Sequence, residues 1–194
     1  MFNIKDVLVL PGGSDIDPSI YKKENYKSHI SEYSMERDKR EIALYKAAVK
    51  KGKPVFGICR GLQLISALNG LSLIQHMGHP SSHLITVRDE DMNFTKEILV
   101  NNAHHQCVWT NNILECDEFV VYGHCSLSTV HDYQKDEKIQ CQFEPEIIWF
   151  PKTKSLGVQF HPEWMSAYGD ITYYDDNNYL KTLDYLQKLA NKLF

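Results

Sequence analysis

Cys59 stands between two glycines in Gly57-Ile58-Cys59-Arg60-Gly61, where the apolar run "PVFGI" passes into the helical pattern "RGLQLISAL". A strand that turns abruptly into a helix strains the residue at the turn and exposes its side chain. The residues two before and two after must then be small, which is the geometry of a nucleophile elbow with cysteine in the nucleophile's place. The helix beyond would aim free N–H groups and partial positive charge at the sulfur. That favours the thiolate over a thiol of ordinary pKa, about 8.5. A small buried hydrophobe flanked by packing glycines is the plainer reading of the same residues.

A nucleophile of this kind needs a base. "GVQFHPEW" places His161 and Glu163 two residues apart at the end of another apolar run. An extended backbone projects such a pair to one side, and Pro162 disfavours helical geometry for His161. A histidine beside a carboxylate able to orient it supplies the other half of a triad. Alone, His-Pro-Glu reads as a turn with a surface carboxylate; with the elbow earlier in the chain, acyl transfer accounts for both.

The elements that must position these groups are legible around them. "DVLVL" (6–10) is a short buried strand ended by Pro11-Gly12-Gly13. Residues 15–33 are polar and aromatic and form an irregular loop, in which Tyr21, Tyr26 and Tyr33 are expected to pack. Ser34 is the expected N-cap of a helix whose Ile42, Tyr45 and Val49 share one face, stopped by Gly52 and Pro54. "PVFGI" and "RGLQLISAL" repeat the strand–helix order, which predicts right-handed crossovers and a parallel sheet. From 84 to 150, "HLITV", "EILV", "EFVVYG" and "EIIWF" predict further, partly antiparallel strands, with "HCSLSTVHDYQKDEKIQCQ" as a protruding hairpin or loop. "SLGVQF" is a last strand. "NNYLKTLDYLQKLANKLF", with leucines at 180, 183, 186, 189 and 193, is a closing amphipathic helix. One α/β domain over 1–194 is expected.

Composition excludes several functions. The 194 residues carry a formal net charge of −4, with 43% hydrophobic and 24% charged residues. No basic footprint for nucleic acid or an anionic membrane is present, and no apolar run has the roughly 18 residues a membrane span needs. Lys5 and Asp6 interrupt what would be the apolar region of a signal peptide, and the five cysteines have no C-x-x-C spacing. A cytoplasmic protein with free thiols is expected.

The motif set resembles the class I, triad-type glutamine amidotransferases, and within them the γ-glutamyl-γ-aminobutyrate hydrolase branch. "GICRGLQ" and "GVQFHPEW" are similar to its nucleophile and His/Glu motifs. "PGGSDIDPSIY" is similar to its glycine turn, "ERDKRE" to its Arg-Asp helix start, and "NNAHHQ" to its Asn-x-x-His-x-Gln-like segment. The likeness runs from residue 7 to about 166 in the family's order. It implies a flavodoxin-like, mostly parallel sheet flanked by helices, with extra antiparallel strands. Family members normally carry a strand and a helix before the glycine turn, where only about ten residues stand here; either the sheet is smaller, with an exposed edge for a partner or second subunit to cover, or the numbered chain lacks that segment.

By the same resemblance Cys59 is the nucleophile, His161 the general base and acid, and Glu163 its orienter. The backbone N–H groups of Gly13 and Arg60 form the oxyanion hole. Gln63 faces the glutamyl moiety, and the backbone around His104, His105 and Gln106 holds its α-amino and α-carboxylate groups. Arg37 and Asp38 are read as structural, an ion pair or cap. The substrate implied is a γ-glutamyl amide or glutamine, and no cofactor is called for. Partners implied are a synthetase receiving ammonia or further copies of the chain, with a non-catalytic binding module as the third reading. His76, His79 and His83 lie close together and His104-His105 adds two more, but no spacing matches a metal ligand set, so no metal is expected and His104 and His105 are read as pocket lining.

Overall fold

The structure, a computed structural model, describes residues 6–77, 82–126, 129–134, 137–165 and 176–194. Strand β1 (Leu8–Leu10) leads through an irregular loop to helix α1 (Glu32–Lys50). Strand β2 (Val55–Ile58) then runs into helix α2 (Arg60–Leu68). Both strand–helix units lie where the apolar periodicity puts them. The start of α1 differs: Ser31, not Ser34, is the N-cap. Ser34 is instead the third helical residue, and its hydroxyl accepts from the Ser31 N–H at 2.7 Å to close a capping box.

Strands β3 (Ser72–Ile74), β4 (Ser82–Arg88), β5 (Phe94–Asn101), β6 (Cys107–Trp109) and β7 (Val120–Cys125) follow. Next come β8 (Thr129–Gln134), β9 (Glu137–Cys141), β10 (Glu144–Phe150), β11 (Ser155–Val158) and the closing helix α3 (Asp176–Leu193). Among the described residues one sheet has seven strands, in the order β1-β2-β11-β10-β7-β4-β5. β1, β2 and β11 pair in parallel; β10, β7, β4 and β5 are each antiparallel to the strand before. Five of the seven strands therefore run the same way, and only β10 and β4 are reversed. β8 and β9 pair as the expected hairpin. β3 and β6 form a two-stranded sheet that the sequence did not announce, since three-residue strands are too short for a period to register.

The strands alternate sides. Leu10, Val55 and Phe150 pack with Tyr45 and Ala48 of α1 and Leu62 and Ile65 of α2. Phe56, Ile58, Leu156 and Val158 pack on the opposite face with Leu186 and Leu189 of α3. The leucine stripe of α3 is not uniformly buried, because Leu180 is 59% exposed. Of the loop tyrosines, Tyr21 is buried with the α1/α2 core, whereas Tyr33 is exposed. At the sheet's edge Val9 of β1 is half exposed.

The approach of α2 to the sheet is set by glycine. A Cβ on Gly61 would lie 2.1 Å from the Leu10 carbonyl oxygen, and one on Gly57 would lie 2.6 Å from the Gly61 carbonyl carbon. Gly61→Ala is expected to destabilise the fold by about 2 kcal/mol through overpacking. That corresponds to a fall of roughly 4–8 °C in Tm for a chain of this length. A thermal melt within about 1 °C of the parent would mean that α2 is free to move off the strand.

Candidate active site

β1, β2 and β11 are adjacent and parallel, so their carboxyl ends meet at one edge of the sheet, where α/β folds place their ligands. Gly12 and Gly13 follow β1, Cys59 follows β2, and His161 follows β11. The Cys59 N–H donates to the Val158 carbonyl at 2.7 Å, which ties the two strand ends together. Cys59 has φ 51° and ψ −105°, a conformation strained for a side chain other than glycine. It is held by the strand before it and the helix after it, as the elbow pattern predicts.

His161 lies against the glycine turn: a Cβ on Gly12 would fall 2.4 Å from the imidazole Cε1. Glu163 Oε1 stands 2.7 Å from His161 Nδ1. The pairing is as expected but its cause differs. Pro162–Trp164 form a turn of 3-10 helix that carries the carboxylate back to the ring, where the sequence suggested an extended segment. Two residues of the motif segments "NNAHHQ" and "GVQFHPEW" to which the sequence assigned no role complete the clamp. Asn101, at the end of β5, accepts from the His161 N–H and donates to its carbonyl, both at 2.8 Å. The Trp164 indole stacks on the imidazole with centroids 3.7 Å apart and planes within 4°. Both lie within motif segments legible in the sequence, but each acts through the folded position of His161, which the segments alone do not show.

Cys59, Gly13, Asp15, Gln63, His104 and His105 line one cavity of about 270 Å³. The sulfur is thus buried yet borders an open space. Burial pushes the Cys59 thiol up to about 12, and the nearby carboxylates of Glu146, Glu163 and Asp15 add to the rise. A hydrogen bond from the Arg60 N–H opposes it. The thiolate expected from the helix N-terminus is therefore not the resting form, because desolvation outweighs the N–H group. Glu146, a wholly buried carboxylate 3.2 Å from His83 Nε2, is an acid the sequence did not single out.

The residues matched to substrate binding, Gln63, His104, His105 and Gln106, all line this cavity. The Gln63 amide donates to the Gln106 carbonyl at 3.2 Å and to Gln159 at 3.3 Å, which ties the loop to α2. The His104 N–H is taken by Asn102 and the His105 carbonyl by Met77. Gln106 turns its amide to Ser28, 2.7 Å away. Much of this backbone is engaged within the chain; the side chain that meets the cavity's acid is His105, 3.1 Å from Asp15 Oδ1. His76 also approaches His105, whereas His83 turns to Glu146, and His79 lies outside the described residues.

Arg37 and Asp38 are structural, although they do not pair with each other. Asp38 and Glu41 both bind the wholly buried guanidinium of Arg60. Arg37 binds Glu41 at 2.7 Å and donates to the carbonyls of Pro11 and Gly12 at 2.9 and 3.0 Å. Gly13 has φ +148°, and a Cβ there would lie 2.1 Å from Arg37 Nη1, so this turn accepts only glycine.

Comparison with known proteins bears on the family and the fold. The sequence profile of the family Peptidase C26 matches residues 1–163. The glutamine amidotransferase-like protein YvdE of Lactococcus lactis is 29% identical over 161 residues, covering 74% of this chain and 67% of that protein. The gamma-glutamyl-gamma-aminobutyrate hydrolase of Escherichia coli O157:H7 is 28% identical over 171 residues, 84% of this chain and 65% of that protein. The matches take in about half to two thirds of the length of such curated relatives. Among solved structures, a glutamine amidotransferase from Thermotoga maritima is similar with a TM-score of 0.50 at 16% identity, covering 97% of this chain and 94% of that one. At that identity the likeness speaks for the fold.

Because the Cys59 thiol is pushed up to about 12, its thiolate fraction keeps growing across the whole accessible alkaline range. Iodoacetamide labelling of Cys59, resolved by mass spectrometry, is expected to be slow at pH 7 and to be rising still at pH 10. A rate that levels off by pH 8 would contradict a protonated resting sulfur.

Proposed function

The chain belongs to the Peptidase C26 family, and from that premise we propose that it is a cysteine-dependent hydrolase of γ-glutamyl amide bonds. The observation that carries the reading is the convergence at the ends of β2 and β11: a strained Cys59 bordering a cavity, and a His161 imidazole paired with Glu163. In this reading the Cys59 sulfur attacks the γ-carbonyl as its proton passes to His161. The need for that transfer follows from a thiol that is protonated at rest. Glu163 holds Nδ1, so that Nε2 is the nitrogen that takes and returns the proton. The oxyanion is received by the N–H groups of Arg60 and Gly13; losing one such donor costs about 3 kcal/mol of transition-state stabilisation.

His161 then gives its proton to the departing amine, leaving a γ-glutamyl thioester on Cys59. Water, deprotonated by the same histidine, adds to the thioester carbonyl. Collapse releases glutamate, and the proton returns to sulfur. No other group is required by this sequence of steps. Asp15 places a carboxylate in the cavity's lining, which suits a substrate presenting an ammonium group.

The second reading is a glutaminase that supplies ammonia to a partner synthetase, and the name of the YvdE relative favours it. Turnover by the isolated chain separates the two. The hydrolase reading expects rapid glutamate release from γ-glutamyl amines and slow release from glutamine. Glutamine turnover that appears only on adding a synthetase supports the second.

Cys59→Ala is expected to abolish glutamate release from every substrate. Glu163→Gln is expected to lower kcat by about 10²–10⁴ with a smaller change in KM, because the imidazole loses its fixed tautomer and orientation. Acid quenching during turnover followed by mass spectrometry checks the covalent step: the parent carries a γ-glutamyl adduct on Cys59. Glutamate release at the parent rate by Cys59→Ala would remove the triad.

A further inference from the structure

We propose that Asp15, His29 and His105 form a binding site for a divalent first-row transition ion of the zinc type at the mouth of the Cys59 cavity. These residues come from three separate segments: the glycine turn, the loop before α1, and the loop between β5 and β6. Their possible ligand atoms all lie within 4.8 Å of one another. The buried Asp15 carboxylate already stands 3.0 Å from His105 Nε2. The imidazoles of His29 and His105 stack with centroids 4.7 Å apart and planes at 29°. The His29 N–H donates to Asp15 Oδ2 at 2.6 Å, which fixes the loop to the carboxylate.

Two imidazoles and one carboxylate are a donor set for zinc and its neighbours rather than for magnesium or calcium, which take oxygen ligands. With ligand bonds of about 2.0–2.2 Å, a tetrahedral ion would draw the three donor atoms to about 3.3 Å from one another. Exposed His29 can supply that contraction by a side-chain rotation. His76 Nδ1 lies 3.5 Å from His105 Nδ1, on the far side of the ring from Asp15. It is thus placed to fix the ring's orientation, as outer-shell partners of ligating histidines do.

The consequence concerns access. Asp15, His29 and His105 share the cavity with Cys59. An ion held there blocks the path of a substrate to the sulfur, so occupancy inhibits turnover. The inhibition rests on the acyl-transfer reading above; the ion site itself does not.

Cobalt(II) titration followed by visible absorption, and zinc(II) competition against a fluorescent chelator, test the site on the full chain. One ion per chain is expected, and His29→Ala and His105→Ala should each weaken zinc binding by about tenfold or more. Asp15→Asn is a poorer probe because that carboxylate also anchors the loop. His29 is exposed, and an unchanged thermal melt of His29→Ala establishes that its loss is local. Zinc should inhibit glutamate release with the midpoint measured for binding, and His29→Ala should shift both midpoints by the same factor.

Absence of a stoichiometric ion, or zinc binding in His29→Ala and His105→Ala equal to the parent, would overturn the site. If inhibition persists unshifted in His29→Ala, the ion sits on Cys59 and His161 and the proposal fails. A parent that binds one ion through these residues but releases no glutamate in its absence supports the site and sinks the hydrolase reading.

Discussion

The guanidinium of Arg60 is wholly buried, and its pairing with Asp38 and Glu41 is the constraint from which the rest of the site follows. Removing these charges from water costs several kcal/mol per ion, offset here where each Nη group of Arg60 meets a carboxylate. Glu41 also receives Arg37, and Asp38 also accepts the Asp17 N–H at 2.9 Å. Even so, burial holds the Asp38 carboxyl above its usual range against the pull of Asp17 and Arg60. The cluster's value is positional. Arg60 begins α2 and carries the N–H beside the sulfur, Asp38 and Glu41 belong to α1, and Arg37 grips the glycine turn. One ionic cluster therefore sets the relative positions of the three segments that frame Cys59.

The price of that framing appears at Cys59 itself. A positive φ at a residue with a side chain costs on the order of 1–3 kcal/mol and persists only where the surroundings over-determine it. Here the surroundings are the Gly57–Gly61 approach on one side and the hydrogen bond to Val158 on the other. Burial adds a second cost, disfavouring charge on the sulfur. The two costs have a common result: a thiol aimed into a cavity but protonated, and thiols are far less prone than thiolates to oxidation.

His161 is positioned by a different set of contacts. Asn101 binds both of its main-chain polar groups, Trp164 covers its ring, and Glu163 holds one nitrogen. The antiparallel part of the sheet thereby reaches the site, because Asn101 ends β5, the strand at the far edge from β1. The small β3–β6 sheet has a similar task. It carries the chain from Ile74 to Gln75 and His76 and from His105 and Gln106 into Cys107, closing one side of the cavity.

The elbow, the His-Pro-Glu segment, the two strand–helix units and the closing helix were all legible in the sequence because each is local. Glycine spacing, apolar period and proline act over a few residues, and they marked α2 from Arg60 to Leu68 without reference to the fold. The capping of α1 was off by three residues because Ser31 and Ser34 both suit an N-cap and only reciprocal bonding distinguishes them. Nothing local pairs Arg60 with Asp38 and Glu41, brings Asn101 to His161, or gathers Asp15, His29 and His105, since each contact joins segments that meet only once the sheet has formed. The protonation of Cys59 belongs with them. Sequence determined that a thiol sits at a helix N-terminus; the tertiary structure decided how much water is taken from it, and in this chain desolvation is the larger effect.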